Sequence, residues 1–239
     1  VGQGDSSLII YNDEVVMIDT GGISNYFVSS GSIKLLKSLG YSHIDYLILT
    51  HGDFDHMEDS IHLLNNYNIK NVVLNNDSFN ELETNLIKEL KNKKIKYYQN
   101  VKKVPISNNI ITILNTKEYD NENDNSNVIY MELNNYNFMF MGDAGVDKEK
   151  DILERYNISN IDVLKVGHHG SKTSSSKNFI NKINPKYSII SVGKNNRYGH
   201  PNKEVLNNLE HSKIYRTDED GSIMFKIKNN KLKIETCSP

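Results

Sequence analysis

The chain has 239 residues, of which 37% are hydrophobic and 24% charged, with one Cys and a formal net charge of −2. Apolar runs recur along most of it, which excludes a disordered protein. None approaches the roughly 20 residues that span a bilayer, and a lone Cys excludes an internal disulfide or a Cys-rich zinc module. The charge balance argues against a protein coated in positive charge for DNA, but leaves nucleic acid open as a substrate, because bound metal ions lie outside the count. Val1 leads straight into Gly2-Gln3-Gly4-Asp5 without an initiator Met or signal-like segment. Residues are therefore expected to have been removed upstream, and a soluble domain, on balance cytoplasmic, is expected.

Ser7 to Ile10 and Val15 to Ile18 are short apolar runs around Tyr11-Asn12-Asp13-Glu14, the pattern of a hairpin. Asp19-Thr20-Gly21-Gly22 breaks the second strand. Ile33, Leu35, Leu36 and Leu39 keep helical spacing up to Gly40. Tyr46 to Leu49 is a strand that runs into Thr50-His51, followed by a helix around Ile61 to Leu64 and a strand from Val72 to Leu74. Ser78 and Glu81 suggest a capping box ahead of Leu82, Leu86, Ile87 and Leu90. Ile110 to Leu114, Val128 to Leu133 and Phe138 to Met141 predict three strands. They are followed by a helix over Asp147 to Tyr156 and a strand over Val163 to Val166. Helices around Phe179 to Ile183 and Val205 to Leu209 flank a strand at Tyr187 to Val192. The chain closes with β structure at Ile214 to Tyr215, Ile223 to Ile227 and Leu232 to Ile234. This order predicts two mixed sheets packed face to face with helices outside. A single domain over residues 1–239 is expected, with the polar stretch Glu118 to Asn127 as a surface loop.

The chemistry is concentrated in His51-Gly52-Asp53-Phe54-Asp55-His56, where four potential metal ligands follow an apolar strand within six residues. Loops at strand ends are where a rigid scaffold presents ligands. A polar loop with two incidental histidines is the weaker reading, because His and Asp are seldom so dense without a metal to share. Two further strands end in ligand-type residues, at Gly142-Asp143 and at His168-His169-Gly170-Ser171.

With these pieces in this order, the sequence resembles the metallo-β-lactamase superfamily, and within it the branch of the DNA-uptake competence protein ComEC. The likeness runs from Val1-Gly2-Gln3-Gly4-Asp5-Ser6 to Asp218-Glu219-Asp220-Gly221. It takes in Ile18-Asp19-Thr20-Gly21, the segment from His51 to His56, Gly142-Asp143, Leu164 to Ser171, and Tyr198-Gly199-His200-Pro201. The resemblance implies an α/β fold, a four-layer αββα sandwich, with a site for two divalent metal ions at one edge of the sheets. Carried over by position, His51 and Asp53 would serve one metal. Asp55, His56 and His168 would serve the second, and Asp143 would bridge both. The alternatives His168 and His169 stay open; His168, directly after the strand-ending Gly167, is favoured.

Two departures from the superfamily pattern matter. Asp53 stands where a second His is usual, and Asn125-Ser126-Asn127 occupy the stretch where a third-motif His is usual. A carboxylate in place of an imidazole hardens the site and tilts it from zinc toward manganese. With fewer ligands, the first metal is expected to bind more weakly than the second and to be the one missing when a site is unfilled. Three ligand carboxylates and two divalent ions sum to a charge of about +1, which suits a phosphodiester anion. Asp55, His169 and His200 are the candidate catalytic residues, with His200 donating a proton to the leaving oxygen or holding a phosphate. Lys165, Lys194, Arg197 and Ser171 are candidate substrate contacts, set against the ordinary reading of solvated surface groups. Lys172 and the backbone N–H at Gly170 could likewise contact a phosphate. Asp5 and Asp19 are expected to support the site or shape turns, and His43, His62 and His211 to lie on the surface.

The function expected is a metal-dependent phosphodiesterase, most simply a nuclease that cuts DNA with a metal-activated water. A metallo-hydrolase of a choline-phosphate ester, cyclic nucleotide or lactone is the alternative substrate class. A binding or regulatory module with a weakened first metal site is the non-enzymatic alternative.

Overall fold

Apolar alternation at the start of the chain pairs β1 (Ser7–Tyr11) with β2 (Glu14–Ile18) in an antiparallel hairpin. Its turn residues Asn12 and Asp13 are both left-handed, at φ 48° and 67°, a region that Asn and Asp tolerate. The computed structural model describes residues 3–22, 27–75 and 79–237. After α1 (Phe27–Ser38) the chain enters β3 (His43–Ile48), then α2 (Phe54–Met57), α3 (Ser60–Asn66), β4 (Asn68–Val73), α4 (Glu81–Lys93) and β5 (Lys96–Tyr98). These strands form a five-stranded sheet in the order β1-β2-β3-β4-β5, parallel from β2 onward.

The second sheet has seven strands. β6 (Lys103–Ile106), β7 (Asn109–Ile113), β8 (Ile129–Leu133) and β9 (Tyr136–Phe140) meander antiparallel. With α5 (Val146–Arg155), α6 (Lys177–Ile183) and α7 (Lys203–Asn208) as crossovers, β10 (Val163–Lys165), β11 (Tyr187–Ile190) and β12 (Lys213–Arg216) extend it in parallel. The sheet order is β12-β11-β10-β9-β8-β7-β6. A short α8 (Thr217–Asp220) leads to an antiparallel ribbon of β13 (Ser222–Lys228) and β14 (Lys231–Cys237).

Three apolar layers fix the architecture. Val16, Ile18, Ile48 and Val73 of the first sheet meet Val104, Ile111, Ile129, Met131 and Val163 of the second, so the two sheets pack face to face. Val15, Leu47 and Val72 face outward against Leu36, Leu63, Leu86 and Leu90 of α1, α3 and α4. Met139, Leu164 and Ile190 do the same against Ile152, Phe179, Ile183 and Val205 of α5, α6 and α7. The result is helix, sheet, sheet, helix, with each buried aliphatic side chain contributing about 1.5–3 kcal/mol. No helix among the described residues is long and apolar enough to cross a membrane.

Three sequence expectations need correcting. The cap of α4 is Asn80, whose side chain accepts from the Glu83 N–H while Glu83 accepts from the Asn80 N–H. Glu81 is already inside the helix, and Ser78 lies outside the described residues. The strands β5 and β6 are additional; β6 carries Pro105, which a sheet tolerates because β6 is its edge. The stretch Glu118 to Asn127 is a surface loop only in its first half. Asp124, Asn125, Ser126 and Asn127 are buried, and Asn127 grips the end of β3 through its N–H to Thr50 O and its side chain to Leu49 O.

Candidate metal centre

The ends of the parallel strands in both sheets gather at one edge, the usual place for a site in sheets of this kind. Thr50 and His51 follow β3, and α2 then turns Asp53, Asp55 and His56 back over the same point. Gly52 makes that turn possible. A Cβ there would lie 2.3 Å from Asn80 Nδ2 and 2.6 Å from Glu83 Oε2. Its N–H donates to Glu122 and its carbonyl accepts from Asn80. From the second sheet, Gly142 after β9 takes φ +55°, where a Cβ would lie 2.9 Å from Ser126 Cβ and 3.0 Å from Thr50 Cβ, and so delivers Asp143. After β10, His168 and His169 are both left-handed, at φ 49° and 53°. Consecutive left-handed non-glycine residues are strained. The strain is held by the His168 N–H on Gly142 O and the Ser171 N–H on His168 O.

Four imidazoles meet here, each tied through Nδ1. Asp19 Oδ2 lies 2.8 Å from His56 Nδ1, and Ser191 O lies 2.9 Å from His169 Nδ1. Thr50 Oγ1 lies 3.1 Å from His51 Nδ1, and Thr173 Oγ1 lies 3.1 Å from His168 Nδ1. A donated Nδ1–H leaves Nε2 as a lone pair, the arrangement that supporting acceptors impose on metal-binding imidazoles. Every Nε2 faces a carboxylate. His56 Nε2 is 3.1 Å from Asp143 Oδ1, and His169 Nε2 is 3.1 Å from Asp55 Oδ2. His168 and His51 approach Asp143 Oδ2 at 3.6 and 4.0 Å, and His51 lies 3.5 Å from Asp53.

These residues fit divalent cations. The Nε2 atoms of His51, His56 and His169 and the Oδ1 of Asp143 are buried without a hydrogen-bond partner among the described residues. Buried polar atoms are rarely left so. Ligand atoms of Asp5, His56, Asp143 and His169 all lie within 4.8 Å of one another, close to the span across one ion with bonds of about 2.0–2.3 Å. Burial opposes charge on Asp143 and His56 alike. Their mutual approach outweighs it, holding the Asp143 carboxyl well below and the His56 imidazole well above their ordinary values. His169 is likewise raised against the pull of burial, chiefly by facing Asp55. The cluster attracts positive charge, and a cation can take the place of those protons.

The expected ligands His51, Asp53, Asp55, His56 and Asp143 come together, with Asp143 touching both ends of the group. The two neighbouring histidines divide differently from the expectation. His169 is the one beside Asp55 and His56, whereas His168 points to Asp143 Oδ2 on the side of His51. The left-handed conformation of both residues directs them to different members of the cluster. Lys165 is turned inward, 6% exposed, with Nζ 2.7 Å from Asp5, and so is a structural partner rather than a substrate contact. Ser171 is buried and its hydroxyl lies 3.0 Å from that of Thr173, which holds His168. Lys194 and Arg197 are exposed on the loop that carries His200, and Lys172 is exposed after the His168 turn. His200 lies edge-on to His168 at 5.9 Å between ring centres, and burial, then His168 and His169, hold its imidazole below the ordinary value. His43 and His62 are half-buried and His211 is exposed.

Asp5 is the site residue that sequence reasoning undervalued. Its Oδ1 is buried without a hydrogen-bond partner among the described residues, its N–H donates to Asp55 O, and Lys165 leads the neighbours that overcome its burial, bringing its carboxyl to about 2. The signal was its place in Gly4-Asp5-Ser6. A Cβ on Gly4 would lie 2.8 Å from Gly22 N, so only Gly lets this segment lie against the site.

Residues 1–194 match the metallo-beta-lactamase superfamily. The chain belongs to that superfamily. It is 33% identical over 251 residues to ComE operon protein 3 of Bacillus subtilis, covering 96% of this chain and 32% of that protein. It is 29% identical to Recombination protein 2 of Haemophilus influenzae, covering 98% of this chain and 29% of that one. For Competence protein ComA of Neisseria gonorrhoeae the identity is 27%, with 94% and 31% covered. The chain thus spans about a third of the length of these curated relatives. Among solved structures, the metallo-beta-lactamase fold protein YhfI of Bacillus subtilis aligns with a TM-score of 0.55 at 13% identity, over 90% of this chain and 89% of that one. CmlA, a diiron beta-hydroxylase of Streptomyces venezuelae, aligns at 0.57 and 11% identity, over 90% and 53%. The metallo-β-lactamase fold, an αββα sandwich with the candidate metal ligands at one sheet edge, is therefore the frame for the chemistry.

Proposed function

We propose that this chain is a metal-dependent phosphodiesterase, and specifically a nuclease that cuts DNA. The carrying observation is the set of four imidazoles fixed through Nδ1, with every Nε2 turned to a carboxylate around Asp143. The names of the relatives, competence and recombination proteins, support nucleic acid as the substrate.

His51, Asp53, Asp143 and His168 would hold one ion, and Asp55, His56, Asp143 and His169 the other, with Asp5 beside the second. His168 in this assignment supplies the imidazole that Asn125-Ser126-Asn127 do not. When bound, two divalent ions lower the pKa of water and spread the charge of an in-line displacement at phosphorus. Asp19, Thr50, Thr173 and Ser191 fix the imidazole tautomers. Lys165 cancels the charge of Asp5, so the three carboxylates Asp53, Asp55 and Asp143 set a balance of about +1 with two ions, which favours an anionic phosphodiester. His200, whose imidazole is held below its ordinary value by burial and then by His168 and His169, would donate a hydrogen bond or a proton to a substrate oxygen. Lys194 and Arg197 would meet flanking phosphates. Asp53 favours manganese over zinc.

The test loads the purified protein with Mn²⁺ or Zn²⁺ and assays single- and double-stranded DNA, RNA and bis(p-nitrophenyl) phosphate. Bound metal is counted alongside. DNA cleavage with Mn²⁺ above Zn²⁺ is expected. His168→Ala and His169→Ala should each lose a different ion, distinguishable by Mn²⁺ titration followed by electron paramagnetic resonance. A protein that binds metal yet leaves every nucleic acid intact removes the nuclease reading, and loss of the same ion in both variants removes the assignment of ligands.

A further inference from the structure

Tyr198 is the most exposed large apolar side chain among the described residues, at 68%. An aromatic ring in water is ordinarily mobile and unremarked, but this one is held. The Tyr198 N–H and the His200 N–H both donate to Asn196 Oδ1, while Asn196 Nδ2 donates to His200 O at 2.7 Å and to Gly193 O at 3.3 Å. Beyond it the Asn202 N–H donates to Gly170 O, and Pro201 fills the space that a side chain at position 170 would need. The loop is thus clamped to the His168-His169 turn.

The Tyr198 ring stacks on His200 at 5.8 Å between centres and 26° between planes, and His200 in turn meets His168 edge-on. The ring thus packs on an imidazole while remaining largely open to solvent. Exposed Lys194 and Arg197 lie on the same loop. A flat apolar face one ring beyond the candidate metal ligands, on a loop that also carries two exposed cations, matches one nucleotide: the base on the ring and its phosphates on the cations. Within duplex DNA both faces of each base are already stacked on neighbours, so an unpaired or terminal base is what offers a free face.

We propose that Tyr198 is a stacking platform for an unpaired nucleobase next to the scissile phosphate, which makes this site selective for single-stranded nucleic acid. This rests on the phosphodiesterase reading given above. Stacking is tolerant of base identity, so the preference is for strandedness, not sequence.

The experiment has two arms on the Mn²⁺-loaded protein. In the first, KM and kcat are measured on a single-stranded oligonucleotide and on a series in which one abasic site is walked along it. Tyr198→Ala should raise KM by about 10-fold, within the roughly 5- to 150-fold that one stacked base is worth. Tyr198→Trp should restore it, with bound metal unchanged in both. An abasic site at one position should cost the wild type a similar factor and cost Tyr198→Ala nothing more, the signature of a coupled pair. In the second arm, a phosphorothioate strand carrying 2-aminopurine at that position should be quenched by the wild type and not by Tyr198→Ala. Equal KM for wild type and Tyr198→Ala, or equal abasic penalties in both, overturns the platform while leaving the nuclease reading intact. Quenching without cleavage of any strand keeps the platform and overturns hydrolysis. Neither quenching nor cleavage removes both.

Discussion

The two sheets load the shared edge in different ways. The first gives His51, Asp53, Asp55 and His56 from one contiguous segment, turned by a four-residue helix of ordinary backbone, with Gly52 before it leaving room for Asn80 and Glu83. The second gives Asp143 and the two histidines from separate strands, and each delivery needs a left-handed backbone, at Gly142, His168 and His169. A continuous segment can be presented by sequence spacing alone. Ligands from different strands must be aimed by strained turns, and the aim is set by what those turns are packed against. The first sheet therefore supplies four of the seven candidate ligand residues, and the second decides how they are divided.

The largest effect should follow from breaking the one residue that both halves share. Asp143 faces His56 through Oδ1 and His51 and His168 through Oδ2. Asp143→Ala should lose both ions and all metal-dependent activity, whereas Asp53→Ala should lose chiefly the ion beside His51. Metal counts on dialysed protein check this; a variant at 143 that keeps one ion at wild-type affinity breaks the idea of a common bridge.

The second effect is on stability and crosses the sheets. Asp5, just before β1, and Lys165, at the end of β10, form a buried pair at 2.7 Å. Removing one partner of a buried pair typically costs 3–5 kcal/mol, because the other charge is left uncompensated. Asp5→Asn or Lys165→Met alone should fall in that range by chemical denaturation of the metal-free protein. The double change should recover much of the loss. Additive losses would mean that the pair does not join the two halves.

The contrast between the sheets also explains what could be read in advance. The hairpin, the parallel strands and the helices were legible because their apolar spacing is regular, and the segment from His51 to His56 because its ligands are adjacent. The division between His168 and His169 was not, since neighbouring residues of one type differ only in where a left-handed turn sends them. Lys165 looked like a substrate contact because a charge beside a motif is ordinarily solvated; its partner Asp5 lies at the other end of the chain. Asp124 to Asn127 looked like a polar loop because polar residues buried as braces have the same composition as polar residues in water.

A third prediction concerns the brace behind Asp143. Lys148 on α5 donates to Ser126 O at 2.7 Å, and Ser126 Oγ accepts from the Asp143 N–H. Burial, opposed by Asp124 and Asp151, lowers the Lys148 ammonium to about 8. An unfolded lysine titrates near 10.4. Between those values the unfolded chain binds more protons than the folded one, so stability should rise as the pH climbs from about 8 to about 10.5. The full shift corresponds to about 3 kcal/mol. Denaturation across that range should show the rise in the wild type and a flatter curve in Lys148→Met. A difference between the two that does not change with pH would show that Lys148 is charged equally in both states.

The smallest effect tests how the first sheet holds its own imidazoles. Asp19 sits directly after β2, with Oδ1 accepting from the Thr50 N–H and Oδ2 from Thr50 Oγ1 and His56 Nδ1. Its φ of 55° is one that Asn also tolerates, so Asp19→Asn changes the chemistry with little backbone cost. The amide can keep its oxygen on the Thr50 N–H, but it then turns an NH₂ toward His56. His56 must accept at Nδ1 and carry its proton on Nε2, the atom that faces Asp143. Metal affinity at the His56 end should fall by about 10–100-fold, the range for a lost supporting partner. The ion at the His51 end should be less affected, because His51 is oriented through Thr50. Competition with a chelator, read ion by ion, checks the split. Equal weakening of both ions would show that Asp19 acts by holding Thr50, and through it both imidazoles, rather than by fixing the tautomer of His56.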